Sequence, residues 1–117
     1  MRELLIETQQ SYYEYVEKIQ SASQMIANLL KSNELEQAFQ LIADLSEGLN
    51  WIVTVEQHMQ ENNYIINSRT PEVIEQLHDL NELLERKDFD TLSQLFEHKL
   101  APLFASSSEW IFKQVLS

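Results

Sequence analysis

The sequence predicts an all-α protein, an antiparallel up-down four-helix bundle built from two helical hairpins. Three observations carry that expectation. A single Gly and two Pro in 117 residues leave little material for tight turns, strand hairpins or glycine-rich phosphate loops. Apolar residues recur at steps of three and four along most of the chain, which is the spacing of one helix face. One passage is also written twice: LLKSNELEQAFQLI, starting at Leu29, and LLERKDFDTLSQLF, starting at Leu83, share a Leu-Leu pair, a polar break and an apolar restart. A hydrophobic content of 44% is enough for one core, so residues 1–117 read as a single domain.

The first helix is expected over residues 3–31. Its face is Leu5, Thr8, Tyr12, Tyr15, Ile19, Ala22, Ile26 and Leu29, widened by Val16 and Leu30. The chain breaks at Ser32-Asn33, where Asn33 is suited to cap the next helix and Glu34 and Glu36 to its first turn. The second stripe runs Leu35, Ala38, Ile42, Leu45, Leu49, Ile52 and Met59, thickened by Phe39 and Val53. It reaches at least Gln60; Tyr64-Ile65-Ile66 either extends the helix or folds back over the bundle end. Thr70 as cap, Pro71 at the first helical position and Glu72 behind it signal a third helix, with Val73, Ile74, Leu77, Leu80 and Leu84 inward. Asp88 caps a fourth, facing the core with Phe89, Leu92, Leu95, Phe96 and Leu100. Pro102 lacks a backbone donor and crowds the carbonyl of His98, so a kink or break is expected there. Residues 103–117 read as helical, either bent from the fourth helix or separate from it.

On this reading the repeated passage marks two hairpin corners, each the end of one helix, a short turn and the start of its antiparallel neighbour. Leu29-Leu30 matches Leu83-Leu84, Leu35 matches Phe89, and Leu41-Ile42 matches Leu95-Phe96.

Charge and composition exclude several function classes. Nineteen acidic against eight basic residues give a net charge of −11, which repels phosphate backbones and anionic membrane surfaces. Nucleic acid and membrane are therefore not expected partners. The acidity serves solubility, or it suits a basic partner; in its sharpest form it mimics DNA charge to occupy a DNA-binding protein. No Cys is present, which excludes disulfides and thiolate metal sites and fits a reducing cytoplasm. No window approaches the apolar length of a membrane span, and the charged, Gln-containing first residues do not read as a signal peptide.

Enzyme chemistry finds only fragments. Di-iron bundles need two Glu-x-x-His pairs with two further Glu, and this chain offers one such spacing, Glu75 to His78. Carboxylates at i and i+3, as in all-α nucleotide pyrophosphohydrolases that hold Mg²⁺, occur at Glu14/Glu17, Asp44/Glu47 and Glu82/Glu85. Glu14, Glu17 and Asp44 fall on faces expected to meet water. A carboxylate-metal enzyme is the alternative reading; no metal or cofactor is expected. Glu56 stands where the stripe predicts an apolar residue, either near a wet bundle end or as a buried acid. Gly48, inside a helix at a cost of about 1 kcal/mol against Ala, would let a neighbouring helix or a large ring approach closely.

The aromatics point towards binding. Tyr12, Tyr13 and Tyr15 cannot share one face, so Tyr13 is expected outward; Trp51 sits beside its stripe, and Trp110 follows a serine run. Exposed Tyr and Trp anchor protein interfaces, which makes Tyr13, Trp51 and Trp110 the candidate interaction surface. The stretch from Leu83-Leu84-Glu85-Arg86-Lys87-Asp88 to Trp110, a hairpin corner followed by a leucine-rich helix ending in Trp, weakly resembles the flagellar export chaperones and small acidic bacterial helical bundles. That resemblance implies a fold and transfers no functional residue. The expected function is non-enzymatic: a cytoplasmic bundle that binds a protein partner or a second copy of itself, as an adaptor or export-type chaperone.

Overall fold

The structure is a computed structural model describing residues 2–115. Four helices form an antiparallel bundle: α1 (Arg2–Lys31), α2 (Leu35–Glu61), α3 (Thr70–Arg86) and α4, which starts as Phe89–Gln94. The two corners are alike atom for atom in their hydrogen bonding. At the first, Glu34 N–H reaches back to Leu29 O (2.9 Å) and Asn33 N–H to Leu30 O (3.2 Å). At the second, Asp88 N–H reaches Leu83 O (3.1 Å) and Lys87 N–H reaches Leu84 O (3.2 Å). Asn33 and Lys87 are left-handed, with φ of 59° and 58°. Both are helix-ending motifs that satisfy the last carbonyls, and the repeated Leu-Leu pair is what supplies them. Asn33 therefore closes α1 rather than capping α2, whose cap position is Glu34, without a side-chain bond. Asp88 does cap α4, accepting from Thr91 N–H at 3.2 Å.

The start of α3 departs from the expected cap. Arg69 holds the cap position, and the Thr70 hydroxyl turns inward to Glu56 instead. Pro102 acts upstream of itself. Its ring would crowd the His98 carbonyl in an α-helix, and α4 widens into a π-helix over Leu95–Leu100, with Ala101 N–H bonding Phe96 O. One more turn, Ala101–Leu103, completes α4.

Residues 104–115, expected to be helical, do not continue the α-helix. The chain makes a 3₁₀ turn at Ser107–Glu109, runs extended through Trp110–Phe112 and ends in the strand β2 (Lys113–Gln114); residues 116–117 lie outside the described residues. β2 pairs antiparallel with β1 (Tyr64–Ile65), matching Tyr64 with Gln114 and Ile65 with Lys113. Tyr64-Ile65-Ile66 thus folds back over the bundle end, after left-handed Asn63 (φ 68°) stops α2. This C-terminal strap is further tied to α1 by Ser107 Oγ, which donates to Val16 O.

One contiguous core runs between the helices. On α1 it follows Leu5, Gln9, Tyr12, Val16, Ile19, Ser23, Ile26 and Leu30, so Tyr15 and Leu29 are turned to the margin and two polar residues enter the stripe. Gln9 Nε2 donates to Met59 Sδ, whereas Ser23 Oγ has no partner among the described residues. α1 packs on both α2 and α4, and α3 packs on α4. The fourth side of the bundle is different: α3 and α2 hardly touch. Only Thr70, Val73 and Leu80 of α3 are fully buried, and Ile74, expected in the core, is 43% exposed. No helix among the described residues is long and apolar enough to cross a membrane.

Candidate functional site

The three candidate aromatics have different fates. Trp110 is 3% exposed and packs against Phe104, with ring centroids 5.2 Å apart; it is a core residue and presents no surface to a partner. Tyr13 is partly buried rather than outward: its ring lies against Phe112 (6.0 Å), and its hydroxyl accepts the Phe112 N–H at 2.9 Å. It clamps the strap to α1. Only Trp51, 37% exposed, remains on the surface.

Trp51 meets Tyr15 edge to face at 5.8 Å, in a shallow cleft between α1 and α2 whose rim carries Glu14, Lys18, Asp44 and Glu47. Gly48 is the floor. A Cβ built there would stand 1.5 Å from Tyr15 Oη and 2.2 Å from Cζ, so the ring occupies the space that glycine leaves empty. This gives a test by double-mutant cycle. Gly48→Ala alone trades a helix-propensity gain of about 1 kcal/mol against a displaced ring; in a Tyr15→Ala background the gain stands alone. Thermal melts should show Gly48→Ala stabilising only in that background, and equal effects in both would show that the ring does not need the glycine.

Glu56 resolves into a hydrogen-bond hub at the bundle end. Its Oε2 accepts from Tyr12 Oη and Thr70 Oγ1, both at 2.6 Å, and its Oε1 accepts from Ser68 Oγ at 3.0 Å. One carboxylate thus ties α1, α2 and the entry to α3 together, and no cation joins it among the described residues. Burial, followed by the hydrogen bond and charge of Glu56, pushes the Tyr12 phenol well above its ordinary value. That raised value makes Tyr12 a source of stability that is complete below about pH 10 and is lost as pH rises further, by about 1.4 kcal/mol per pH unit. Tyr15, raised by burial and then by Asp44, adds a second contribution of the same sign. In chemical denaturation above pH 10, Tyr12→Phe should flatten the alkaline fall in stability, leaving the Tyr15 part; an unchanged slope would remove Tyr12 as its source.

No three His, Asp or Glu side chains among the described residues converge so as to hold a metal. His78 and Glu75 are both exposed on α3, and Glu14, Glu17, Asp44, Glu82 and Glu85 face solvent.

The largest apolar opening lies where α2 and α3 fail to meet. At one end a cleft of about 610 Å³ is walled by Phe39 and Ile42 of α2, Leu84 of α3 and Phe89 of α4. Phe39 is 39% exposed and lies 5.5 Å from Phe89, centroid to centroid. At the other end a second cleft of about 420 Å³ is walled by Val53 and Gln57 of α2, by Pro71 and Ile74 of α3 and by the extended Tyr64-Ile65-Ile66 segment. Both lie on the α2–α3 side of the bundle, and the sequence marks none of their residues as an interaction site. The signal was present in Phe39 and Ile74, which sit at the edges of their stripes where a helix needs a second neighbour.

The family described as Domain of unknown function (DUF8042) matches residues 7–109, which span all four helices. No curated protein and no solved structure matches the chain significantly.

Proposed function

We propose that this chain, which belongs to the DUF8042 domain family, is a non-enzymatic protein-binding bundle of the cytoplasm, acting as an adaptor or export-type chaperone. The α2–α3 seam carries the reading. In a closed bundle each helix packs on two neighbours, yet α3 is seated mainly on α4 and leaves Ile74, and Phe39 of α2, substantially exposed. Exposed apolar area of that kind, between two helices, is what a docking surface offers. The acidic, cysteine-free composition suits a cytoplasmic carrier.

The carboxylate-metal alternative predicts a different behaviour, so one paired experiment separates the two. Purified protein is titrated with Mg²⁺ and Mn²⁺ in the presence of nucleoside triphosphates, following thermal stability and pyrophosphate release. The same protein, with and without Phe39→Asp plus Ile74→Asp, is used for affinity capture. We expect neither metal-dependent stabilisation nor hydrolysis, and a captured protein that is lost with the double variant. Metal-dependent hydrolysis together with indifference to the seam would reverse the ranking.

A further inference from the structure

We propose that the cleft between α1 and α2 is a docking site for an arginine side chain on a partner protein. It shares no lining residue with the two α2–α3 clefts, so the two readings stand or fall separately. Each helix supplies one margin stripe with the same spacing: Ser11, Glu14, Tyr15 and Lys18 from α1, and Asp44, Glu47, Gly48 and Trp51 from α2. Positions i, i+3, i+4 and i+7 lie on one side of a helix, and the two stripes line a single cleft of about 470 Å³. Its aromatic corner depends on one residue. Gly48 is the chain's single glycine, and a Cβ at that position would stand 1.5 Å from Tyr15 Oη. The missing side chain seats the Tyr15 ring beside Trp51, with the two ring planes at 82°. Rings that meet edge to face do not cover each other, and Trp51 is 37% exposed. An open indole face attracts a cation through its quadrupole.

Charge selects the occupant, and the charges line the cleft itself. Glu14, Asp44 and Glu47 set three carboxylates around the aromatic corner, against the one ammonium of Lys18. All four residues are exposed, and none of them forms an ion pair among the described residues. Nor do the carboxylates converge closely enough to hold a metal ion. Acids spread over two walls beside an indole suit a planar guanidinium, which stacks on the ring and directs its five N–H donors outward in its own plane. A compact ammonium reaches fewer of them at once. The cleft is shallow, so a free small molecule would leave most of its surface in water. The guanidinium therefore has to arrive on a larger body that also covers the flanking helix faces. A second copy is a poor source. It carries a net charge of −11, and of its three arginines Arg69 and Arg86 are held by Glu72 and Glu82.

The test uses a short peptide of Gly and Ser with blocked ends and a central Leu-Arg-Leu, titrated into the isotopically labelled full chain and followed by NMR. Peptides with Lys or neutral citrulline in place of Arg are the comparisons. The Arg peptide should bind, with shifts centred on Tyr15, Gly48 and the Trp51 indole N–H. The Lys peptide should bind about threefold more weakly and the citrulline peptide at least about tenfold more weakly. Trp51→Ala should weaken the Arg peptide about fivefold or more, and the triple variant Glu14→Gln, Asp44→Asn, Glu47→Gln about tenfold. Lys18→Gln should tighten it about twofold. Circular dichroism checks that each variant remains folded. Phe39→Asp, in another cleft, should change nothing here. No shift at these residues up to about 5 mM peptide, equal binding of the Lys or citrulline peptide, or indifference to Trp51→Ala overturns the proposal. Free argininamide binding as tightly as the peptide would assign the cleft to a small cation, and overturns it as well. Sedimentation of the protein alone supplies the last arm: a dimer that Trp51→Ala dissociates assigns the cleft to a second copy and overturns the partner's arginine. None of these outcomes bears on the α2–α3 seam, which the Phe39→Asp plus Ile74→Asp variant tests.

Discussion

Glu56→Ala is expected to lower stability by about 3–4 kcal/mol, a large share of what a domain of this size has to lose. The carboxylate accepts three hydroxyls, from Tyr12, Thr70 and Ser68. Tyr12 is fully buried and Thr70 is 4% exposed, so both hydroxyls lose their acceptor in a largely dry setting. Each buried polar group left without a partner costs about 1–3 kcal/mol, and the lost bonds are of the stronger, charge-assisted kind. Tyr12→Phe removes only one donor and leaves Glu56 with two, so its cost should be about 1–2 kcal/mol. Glu56→Gln should fall between them, because its amide NH₂ faces hydroxyls that need an acceptor. Urea unfolding of the three variants and of the Tyr12→Phe/Glu56→Ala pair measures this. The pair should cost less than the sum of its members, since Tyr12 has nothing left to lose once Glu56 is absent. A neutral Glu56→Ala would mean that solvent, not Glu56, satisfies these hydroxyls.

The bundle itself was legible because its signals are local. Three helix faces follow from apolar periodicity, and the Asp88 cap and Pro71 start follow from residue type. Errors arose where a residue had two uses that sequence does not separate. Asn at a helix boundary serves as an N-terminal cap or as the left-handed stop of the preceding helix, and Asn33 takes the second use. Lys87, at the same place in the second corner, has no capping side chain at all, and that pairing was the available clue. The spacing of Thr70 to Pro71 predicts a cap, but its hydroxyl is claimed by Glu56, a partner fourteen residues away. The C-terminal error was one of period. Trp110 and Phe112 are buried while Ile111 and Lys113 are exposed, the alternation of an extended chain rather than of a helix. Four residues of alternation are too few to outweigh a leucine-rich helix upstream. The α2–α3 seam was hidden for a different reason: periodicity identifies a helix's apolar face but not how many neighbours cover it.

The reassignment of Trp110 carries the second large effect. Trp110→Ala should cost about 3–5 kcal/mol, the range for removing a fully packed Trp or Phe, whereas Trp51→Ala should cost about 1 kcal/mol or less. The indole of Trp110 holds the strap by stacking on Phe104, and the strap in turn brings Phe112 against Tyr12 at 4.9 Å and pairs β2 with β1. Removing it should loosen residues 104–115 as a unit before the helices separate. Hydrogen exchange should therefore rise first at the Phe112 amide, bonded to Tyr13, and at the Val115 amide, bonded to Asn63 O at 2.7 Å. Single-tryptophan proteins give an independent reading. With Trp51→Phe, the remaining Trp110 should emit at short wavelength and resist acrylamide; with Trp110→Phe, the remaining Trp51 should emit at longer wavelength and quench readily. If instead Trp110 quenches freely and its removal leaves stability unchanged, the strap is undocked in solution. Trp110 would then return to the surface as the interface aromatic that its sequence position suggested.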